Sequence, residues 1–368
     1  MLGPLRRHPL ATGGLLLGAV VAAGTLADSR LDPVGWHPPD PPAMTGALEP
    51  DHALADADRV LTADGPEDTA FDAEGRCYTG ADDGVVYRTV EPVDGRTDCP
   101  LEPFARVGGR PLGLVFDDGI DEGAEGSDLI VAAEDAGLVR VSPDGNVETL
   151  TDSAAGQHTQ FADDLYVHDG VVYVTDATVH EIFQDELFEL QDTGRLLGYD
   201  LETGETTVEL TGLGFANGVA PGPDGESLLV NETSRYRIRR YWVEGDRAGE
   251  DEVFVDNLPG YPDNVDVASE GGYWVAIPSM RDESLEALQR RPWVKRQLGK
   301  LPEAVLQQVS GDPYGLVLRV DESGEVVDSL HDPAGGVFGV TSATEYDGAL
   351  YLGSLFNDYV YRKELDGE

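Results

Sequence analysis

Oxygen-bearing side chains open several short apolar runs of this sequence, singly or in adjacent pairs. They are Glu67–Asp68 in "GPEDTAFD", Asp163–Asp164 in "FADDLYVHDG", Asn217 in "FANGVAPG" and Asp263–Asn264 in "YPDNVDVA". Carboxylate and amide oxygens are the ligands that Ca²⁺ prefers, and no Cys or His stands among them. Each residue alone is also typical of a turn, since Asn-Gly and similar dipeptides favour turns. A metal site therefore requires a fold that brings them together.

Compact β-type segments recur along the chain and predict a repeat protein. The segments are "CYTG" from Cys77, "LIVAAE" from Leu129, "VYVTDA" from Val172, "LLVNET" from Leu228, "YWVAIP" from Tyr273 and "LYLGSL" from Leu350. Most steps between them are close to the ~40–50 residues of one propeller blade, and the last step is longer. Further alternating stretches and turn dipeptides lie between them, as expected for blades of antiparallel sheet. We therefore predict an all-β, six-bladed β-propeller.

Aligning the six units on the turn glycine before each β segment places the oxygen-bearing residues in register. One column contains Glu67, Leu112, Asp163, Asn217, Asp263 and Thr341, and the next contains Asp68, Gly113, Asp164, Gly218, Asn264 and Ser342. The innermost strand of each blade begins beside the central channel, so each column forms a ring around the axis. Three carboxylates converging there would repel one another without a cation. The ring predicts an axial Ca²⁺ site, with Mg²⁺ or Mn²⁺ as the second choice.

The charge of the chain limits its partners. Its 368 residues include 70 Asp and Glu against 25 Lys and Arg, a formal net charge of −45. Such a surface repels nucleic acid and anionic membranes, so we expect no nucleic-acid partner. Dense carboxylates with few lysines fit a protein that stays soluble at very high salt, and we predict a halophilic source.

The N-terminal region indicates export or membrane anchoring. Arg6 and Arg7 precede an uncharged stretch, residues 10–27, whose length lies between a signal-peptide core and a spanning helix. The arginines favour a cytoplasmic N-terminus, which puts the folded domain on the extracellular side. We assign residues 1–30 to a signal peptide or N-terminal membrane anchor, 31–49 to a proline-rich linker and 50–368 to the propeller. Cleavage is left open, and the segment contacts the membrane only if it is retained.

The two cysteines exclude a disulfide framework and a Cys-based zinc site. Cys77 and Cys99 either form one bridge in an exported protein or are unrelated to each other. The sequence agrees with both alternatives.

Two longer insertions interrupt the repeat. Residues 179–191 follow the β segment of the third unit, and residues 279–309 interrupt the fifth with apolar residues at helical spacing. The second insertion carries Arg281, Arg290, Arg291, Lys295, Arg296 and Lys300. It predicts either a lid, or a surface for lipid headgroups near the anchor, or a helical pair packed on the propeller with its cations balancing nearby carboxylates. We therefore expect a helical insertion in the fifth blade.

The central stretch resembles the strictosidine synthase-like family, which includes adipocyte plasma membrane-associated proteins. The likeness is carried by "FANGVAPGPDGESLLVNETSRYRIRRYWVEGDRAG" and "VFVDNLPGYPDNVDVASEGGYWVAI", with support from "TGRLLGYDLETGE", "GRPLGLVFD" and "YDGALYLGSLFNDYV". It covers residues 50–365 approximately. That family is grouped with paraoxonases, gluconolactonase-type lactonases and phosphotriester hydrolases, which are six-bladed propellers with axial calcium.

The resemblance implies two calcium sites. The family holds its catalytic calcium by a Glu, two Asn and an Asp, which carry over to Glu67, Asp163, Asn217 and Asp263, and paraoxonases add the residue equivalent to Asn264. A second, structural calcium maps to Asp68, Asp164 and the backbone near Leu114. Asp163 departs from the usual Asn, and its extra carboxylate should bind the cation more tightly while weakening it as an electrophile.

The implied chemistry is metal-assisted hydrolysis of a small-molecule lactone or ester. Calcium polarises the carbonyl, and Asp263 or Asp163 is the catalytic carboxylate that activates water. Strictosidine synthase has a glutamate where Thr341 stands, and paraoxonases have a histidine where Leu112 stands, so neither base is present.

Other interpretations stay open beside this one. His158 and His180 are either ordinary loop residues or lie at the channel mouth. The protein is alternatively a non-catalytic propeller, stapled by calcium, that binds a ligand or partner. Strictosidine synthase-type condensation is disfavoured because its glutamate is missing. Of these we predict a monomeric, calcium-dependent hydrolase of the lactonase or esterase type.

Overall fold

The predicted six-bladed β-propeller is confirmed. The computed structural model describes residues 28–117, 122–123, 126–301 and 312–365. Within these ranges the chain forms six blades of four antiparallel strands each, and the innermost strands contact one another in a closed ring. In blade 1 the short strand Glu122–Gly123 adds a fifth, parallel member beside the inner strand. The predicted signal peptide or anchor, apart from residues 28–30, lies outside the described residues.

The strand bounds follow, from the inner strand of each blade to the outer one. Blade 1 comprises Thr69–Asp72, Cys77–Gly80, Val85–Thr89 and Leu101–Arg106. Blade 2 comprises Pro111–Phe116, Leu129–Ala133, Gly137–Val141 and Val147–Thr151. Blade 3 comprises Ala162–His168, Val171–Asp176, Gly194–Asp200 and Thr206–Leu213. Blade 4 comprises Ala216–Pro221, Ser227–Glu232, Arg237–Trp242 and Asp251–Val255.

Blade 5 comprises Val265–Val267, Tyr273–Ala276, Gly315–Val320 and Val326–Asp332. Blade 6 is built from both ends of the domain: Val340–Tyr346, Ala349–Ser354 and Tyr359–Glu364 are followed outward by Asp58–Thr62. This N-terminal strand pairs antiparallel with the last strand, with Arg59 opposite Tyr361. The pairing closes the ring, because it joins the two ends of the domain in one sheet.

Local turn chemistry sets where the inner strands end. In blades 3 and 6 the inner strand returns through a two-residue turn, Asp169–Gly170 or Asp347–Gly348. Both residues of each turn have positive φ, 46° and 79° in the first and 47° and 73° in the second. Asp-Gly is favoured there because such type I′ turns require positive φ at both positions and match the twist of the strands. These are two of the turn glycines that align the repeat.

The helices lie at one end of the channel, which we call the upper face. Helix α1 (Phe183–Glu189) connects the second and third strands of blade 3, and α2 (Glu283–Gln289) and α3 (Pro292–Leu298) connect those of blade 5. Neighbouring strands are antiparallel, so the second strand ends at the face where the inner strand begins. The helices and the beginnings of the inner strands therefore share the upper face. Short pairs (Ser153–Ala154 with Gln157–His158, Gly260–Tyr261 with Ser279–Met280) complete the connections.

The proline-rich segment 31–49 packs against the propeller. Val34 N donates to Glu189 O (2.8 Å) and Trp36 N donates to Gln289 O (2.9 Å). The ring of Trp36 lies 5.5 Å from that of Tyr236 in blade 4. The segment thus crosses the upper face before it reaches the outer strand of blade 6. None of the helices in the described part of the chain has the length and apolar character of a membrane span.

The core consists of apolar layers between neighbouring blades. Strands buried on both faces supply it, such as Leu129–Ala133 and Ala349–Ser354. One layer joins Val131 of blade 2 to Tyr78 of blade 1, and another joins Val275 of blade 5 to Leu229 of blade 4. These layers hold the inner strands at constant positions around the axis.

Candidate metal centre on the propeller axis

The two aligned columns lie side by side around the axis. Hydrogen bonds link neighbouring blades around the ring. From donor to acceptor they include Leu114 N to Asp68 Oδ2 (3.0 Å, blades 2 and 1), Val219 N to Asp164 Oδ2 (2.7 Å, blades 4 and 3), Gly218 N to Asp263 O (3.2 Å, blades 4 and 5), Asn264 N to Thr341 O (2.9 Å, blades 5 and 6) and Thr341 Oγ1 to Glu67 O (2.8 Å, blades 6 and 1). Between blades 2 and 3, a Cβ at Gly113 would lie 2.7 Å from Asp164 Oδ1. Every blade therefore meets its neighbours through a column residue or the residue next to it.

Breaks in the strand ladders expose these side chains to the channel. The pairing of inner and second strands shifts register between Ala162 and Leu165 and between Ala216 and Val219. Asp163–Asp164 and Asn217 fall within these shifts, while Glu67 and Asp263 come just before their strands begin. Such bulges redirect side chains that a regular ladder would hold on the blade faces. The repeat alignment did not anticipate them.

Four buried oxygens on the axis lack a hydrogen-bond partner among the described residues. They are Glu67 Oε2, Asp163 Oδ2, Asn217 Oδ1 and Asn264 Oδ1. The four residues are at most 4 % exposed. Buried polar atoms are nearly always paired, because an unpaired one costs free energy of folding. Four unpaired oxygens, all hard ligands, fit a Ca²⁺-type cation well.

Burial dominates the electrostatics of the ring. It raises the pKa of Glu67 and of Asp163 well above the usual range, and the negative charge of Asp263 adds to both shifts. Burial also raises the pKa of Asp263 to about 7, although a hydrogen bond from Asn217 opposes the shift. The pKa of Asp164 rises to about 8 for the same main reason. The carboxylates are costly to ionise together, as expected of a ring that needs a cation.

Asp68 and Asp164 lie below the ring and differ from it. Their carboxylates accept hydrogen bonds from backbone N–H groups, Asp68 from Leu114 and Asp164 from both Leu165 and Val219. Both line a cavity of about 220 Å³ in the lower half of the channel. They are thus partly satisfied without a metal, and the second calcium stays a prediction.

An aromatic cluster covers the ring on the upper side. Phe161 and Phe215 precede Asp163 and Asn217 by two residues, and α1 adds Phe183. The three ring centroids are 5.8–6.1 Å apart. Leu112 and Ala177 complete the buried part of this cluster, and Leu187 and Leu355 pack against it. Sequence reasoning missed the cluster, although "FAD" and "FAN" repeat the same spacing.

Phe215 has a positive φ of 57°, which is unusual for a bulky residue. Its carbonyl accepts a hydrogen bond from Thr233 N (3.1 Å), which supports this conformation. The turn directs the following Ala216–Pro221 strand, and with it Asn217, into the channel. Strained backbone of this kind concentrates at functional sites.

Asn231 is a ring neighbour that the sequence analysis missed. It is fully buried on the second strand of blade 4, and its Nδ2 donates to Asp263 O. Its Oδ1 has no hydrogen-bond partner in the described part of the chain. The only signal in the sequence was an Asn within the apolar run "LLVNET". Asn231 positions the backbone of Asp263.

Neither predicted histidine contacts the ring through any described hydrogen bond. His158 is exposed on a short hairpin, and its carbonyl accepts a bond from Arg195 (3.3 Å). His180 Nε2 lies 3.5 Å from Glu186 and 3.4 Å from Glu189, the carboxylates of α1. His180 therefore lies beside the carboxylates of α1.

Another acidic group lies at the opposite end of the propeller. Among the described His, Cys, Asp and Glu side chains, one group of three has potential metal-binding atoms within 4.8 Å of one another. The group consists of His168, Asp169 and Glu244. Two of these residues are exposed, which is common for acidic groups in a chain of this charge. The axial carboxylates are spaced more widely, so a cation between them requires the amide oxygens as well.

Cys77 and Cys99 are free thiols in this structure. Both are buried in one apolar cluster with Phe71 and Tyr351, where blades 1 and 6 meet. Burial raises the pKa of the Cys77 thiol well above its usual value. Both cysteines therefore act as core residues.

Comparisons with known proteins agree with this architecture. Two family models match: strictosidine synthase over residues 163–246 and the strictosidine synthase-like N-terminal region over residues 46–89. The adipocyte plasma membrane-associated protein of Salmo salar is 37% identical to this chain over an alignment of 379 positions. The alignment covers 96% of this chain and 88% of the relative.

Solved structures share the fold at low sequence identity. A gluconolactonase of Xanthomonas campestris has a TM-score of 0.57 at 16% identity and covers 92% of this chain and 97% of its own. Regucalcin, a calcium-binding protein of Agrobacterium tumefaciens, has a TM-score of 0.54 at 15% identity and covers 84% and 94%. Because of its identity to the Salmo salar protein over nearly the whole chain, this protein belongs to the strictosidine synthase-like family that includes the adipocyte plasma membrane-associated proteins.

Proposed function

We propose that this protein is a calcium-dependent hydrolase of lactones or esters. The observation that carries the proposal is the set of unpaired buried oxygens on the axis, directly below an apolar aromatic cluster. The first feature suits a hard cation, and the second suits the carbon skeleton of a neutral substrate. A carbonyl compound placed between them would have its polar group at the cation and its apolar part among the phenylalanines.

The residues that would hold the cation are Glu67, Asp163, Asn217, Asp263 and Asn264. A bound Ca²⁺ would supply Lewis-acid polarisation of the substrate carbonyl. Asn217 donates a hydrogen bond that orients the Asp263 carboxylate. Asn264 Nδ2 holds Glu67 Oε1 at 3.1 Å, so that the second oxygen of Glu67 faces the axis.

Either Asp263 or Asp163 is the group that takes the proton of the attacking water. The Oδ2 atom of Asp163 has no partner among the described atoms, so it would be available to the cation or to a water molecule beside the cation. The aromatic cluster excludes bulk water from this space, which favours a single positioned water over free solvent. Phe161 and Phe215, which directly precede the inner strands of blades 3 and 4, would contact the apolar part of the substrate.

The names of similar proteins support the proposed chemistry and location. The structural neighbours include a gluconolactonase and a calcium-binding regucalcin. The relatives are named for the adipocyte plasma membrane. Together with residues 10–27, these names support a membrane-anchored or exported protein with the propeller on the extracellular side.

A second candidate function is non-catalytic binding. Thr341 and Leu112 occupy the ring positions where related enzymes have their bases, and neither side chain can act as a base. The Thr341 hydroxyl donates a hydrogen bond to the backbone carbonyl of Glu67, and Leu112 is apolar. In this case the cation staples the blades and the aromatic cluster binds an apolar ligand or partner.

Hydrolysis of a panel of lactones and aryl esters in high salt tests the proposal. The full chain is assayed with chelator and after calcium is restored, together with Asp263→Asn and the exposed turn variant Asp144→Asn as a matched control. We expect activity that chelator removes, calcium restores and only Asp263→Asn abolishes. If calcium raises Tm but no substrate is turned over at any calcium concentration, the hydrolase proposal is wrong and the binding function is supported.

A further inference from the structure

A basic stretch without acidic residues lies on the upper face. Residues 287–301 contain five basic residues and no acidic one, whereas the overall composition would place about three acidic residues in fifteen. Arg290, Arg291 and Arg296 are exposed, and Trp293 is 69% exposed. We call this surface the docking face, with Lys300 as its fifth member. A large exposed aromatic surrounded by cations is typical of a membrane-interface site.

The helix geometry gives three of these residues a common orientation. Trp293, Arg296 and Lys300 follow one another at spacings of three and four, which places them on one side of α3 and its C-terminal turn. Lys295 points the other way and is fully buried. Its Nζ donates to Val34 O and to Gln289 Oε1, both at 2.9 Å. The buried lysine therefore fixes which side of α3 faces solvent.

The N-terminal segment arrives beside this surface. Arg30 N donates to Gly299 O (3.3 Å), directly after α3, and the Arg30 guanidinium pairs with Asp185 of α1 (2.7 Å). Arg30 is the third residue after Ala27, where the uncharged stretch ends, and three steps of chain reach at most about 11 Å. If residues 10–27 lie in a bilayer, α3 is held at the bilayer surface.

We propose that the docking face binds the anionic lipid surface of the membrane that holds residues 10–27. Arginine side chains are attracted to anionic headgroups, and tryptophan partitions into the interface. The remaining surface is strongly acidic and is repelled by the same headgroups. Arg296 also forms an ion pair with the exposed Asp32, which offsets the positive charge of Arg296. Arg290 and Arg291 have no acidic residue within the stretch 287–301.

The proposal has a consequence for the axial site. The docking face and the beginnings of the inner strands share the upper face, so the aromatic cluster above the ring is turned toward the bilayer. An apolar ligand would then reach the channel from the membrane side. This orientation does not depend on whether the axial centre is catalytic.

Full-length protein in nanodiscs tests the proposal. Discs contain either phosphatidylcholine alone or phosphatidylcholine with phosphatidylserine, each with brominated acyl chains that quench nearby tryptophan. Measurements use the lowest salt at which circular dichroism remains that of the folded protein, because salt screens headgroup attraction. All proteins in this test carry Trp36→Phe, because Trp36 is a half-buried tryptophan of the same upper face. We expect stronger quenching in the anionic discs, and we expect Trp293→Phe to remove that difference, since the two remaining tryptophans, Trp242 and Trp274, are buried.

Charge-reversed variants provide the control. The triple variant Arg290→Glu, Arg291→Glu, Arg296→Glu should lower quenching in anionic discs to the level of Trp293→Phe. The matched variant Arg247→Glu, on an exposed turn of blade 4 at the lower face, should leave it unchanged. Equal quenching in both lipids, or quenching that survives Trp293→Phe, would overturn the proposal. So would a full-length chain that does not enter nanodiscs.

Discussion

Asn264 Nδ2 donates a hydrogen bond to Glu67 Oε1 across 3.1 Å, joining side chains 197 positions apart in the sequence. Asn264 precedes the inner strand of blade 5 and Glu67 that of blade 1, so the bond passes over the start of blade 6. It leaves Asn264 Oδ1 and Glu67 Oε2 without partners in the described structure. A cation on the axis would satisfy both atoms. Metal binding would therefore stabilise the contact between blades 5 and 1 and with it the closed circle of blades.

Replacing Asp263 by Asn should separate the two roles of this carboxylate. In chelator at pH 8 we expect the variant to be more stable than the wild type by roughly 1–4 kcal/mol, because it removes a buried group whose pKa is raised from 3.8 to about 7. Calcium should raise the Tm of the wild type much more than that of the variant. Thermal denaturation with chelator and with calcium measures both effects, and Asp144→Asn should follow the wild type. A variant that keeps the full calcium-dependent rise in Tm would contradict the assignment of Asp263 as a ligand.

The stability of the chelated protein should fall as pH rises. The pKa values of Asp263 and Asp164 are about 7 and about 8 in the folded chain, against 3.8 as the ordinary value, so the folded state holds more protons between these limits. Their favourable contribution is complete below pH 4 approximately and is lost as pH rises through 7–8. Calcium must displace these protons, so its effect on Tm should grow over the same range.

Denaturation at pH 6 and pH 9 with chelator measures this dependence. The double variant Asp164→Asn, Asp263→Asn should show a flatter profile than the wild type. A chelated wild type that is as stable at pH 9 as at pH 6 would mean that these carboxyls ionise without cost.

Gly218→Ala should destabilise the ring strongly. A Cβ at Gly218 would lie 2.6 Å from Asn264 Cα and from Val265 N, which are backbone atoms that cannot move aside. We expect a loss of about 1–3 kcal/mol or more in the free energy of unfolding, together with weaker calcium binding. The matched control is Gly35→Ala, whose Cβ would meet Pro292 at an ordinary 3.5 Å. Urea denaturation compares the two, and equal stability of both variants would show that blades 4 and 5 are not in close contact here.

Lys295→Ala should loosen the N-terminal segment from the upper face. The substitution removes two hydrogen bonds and leaves Val34 O and Gln289 Oε1 without their donor, at a cost of about 1–3 kcal/mol. Amide hydrogen exchange should increase at Val34 and Trp36, whose N–H groups bond to α1 and α2 respectively. Lys300→Ala, on the exposed side of the same stretch, should leave this exchange unchanged. If the two variants exchange alike, Lys295 does not hold the segment.

The sequence alone predicted the features that depend on local pattern. The spacing of β segments and the Asp-Gly turns gave the six blades, because alternation and positive φ are properties of short stretches of chain. The same register put Glu67, Asp163, Asn217 and Asp263 in one column. This grouping can be predicted from the repeat alone, because equivalent positions in successive blades lie around one axis.

Tertiary structure decided what depends on contacts between distant parts of the chain. Three features arise from elements that meet only after folding. They are the register breaks that turn Asp163 and Asn217 into the channel, the Phe161–Phe183–Phe215 cluster, and the packing of residues 31–37 on α1–α3. The proline-rich segment illustrates the difference: its composition predicts a free spacer, but Trp36 and the buried Lys295 supply apolar burial and hydrogen bonds that hold it to the propeller. Packing and pairing of this kind outweigh local preference, because they are cooperative over the whole domain.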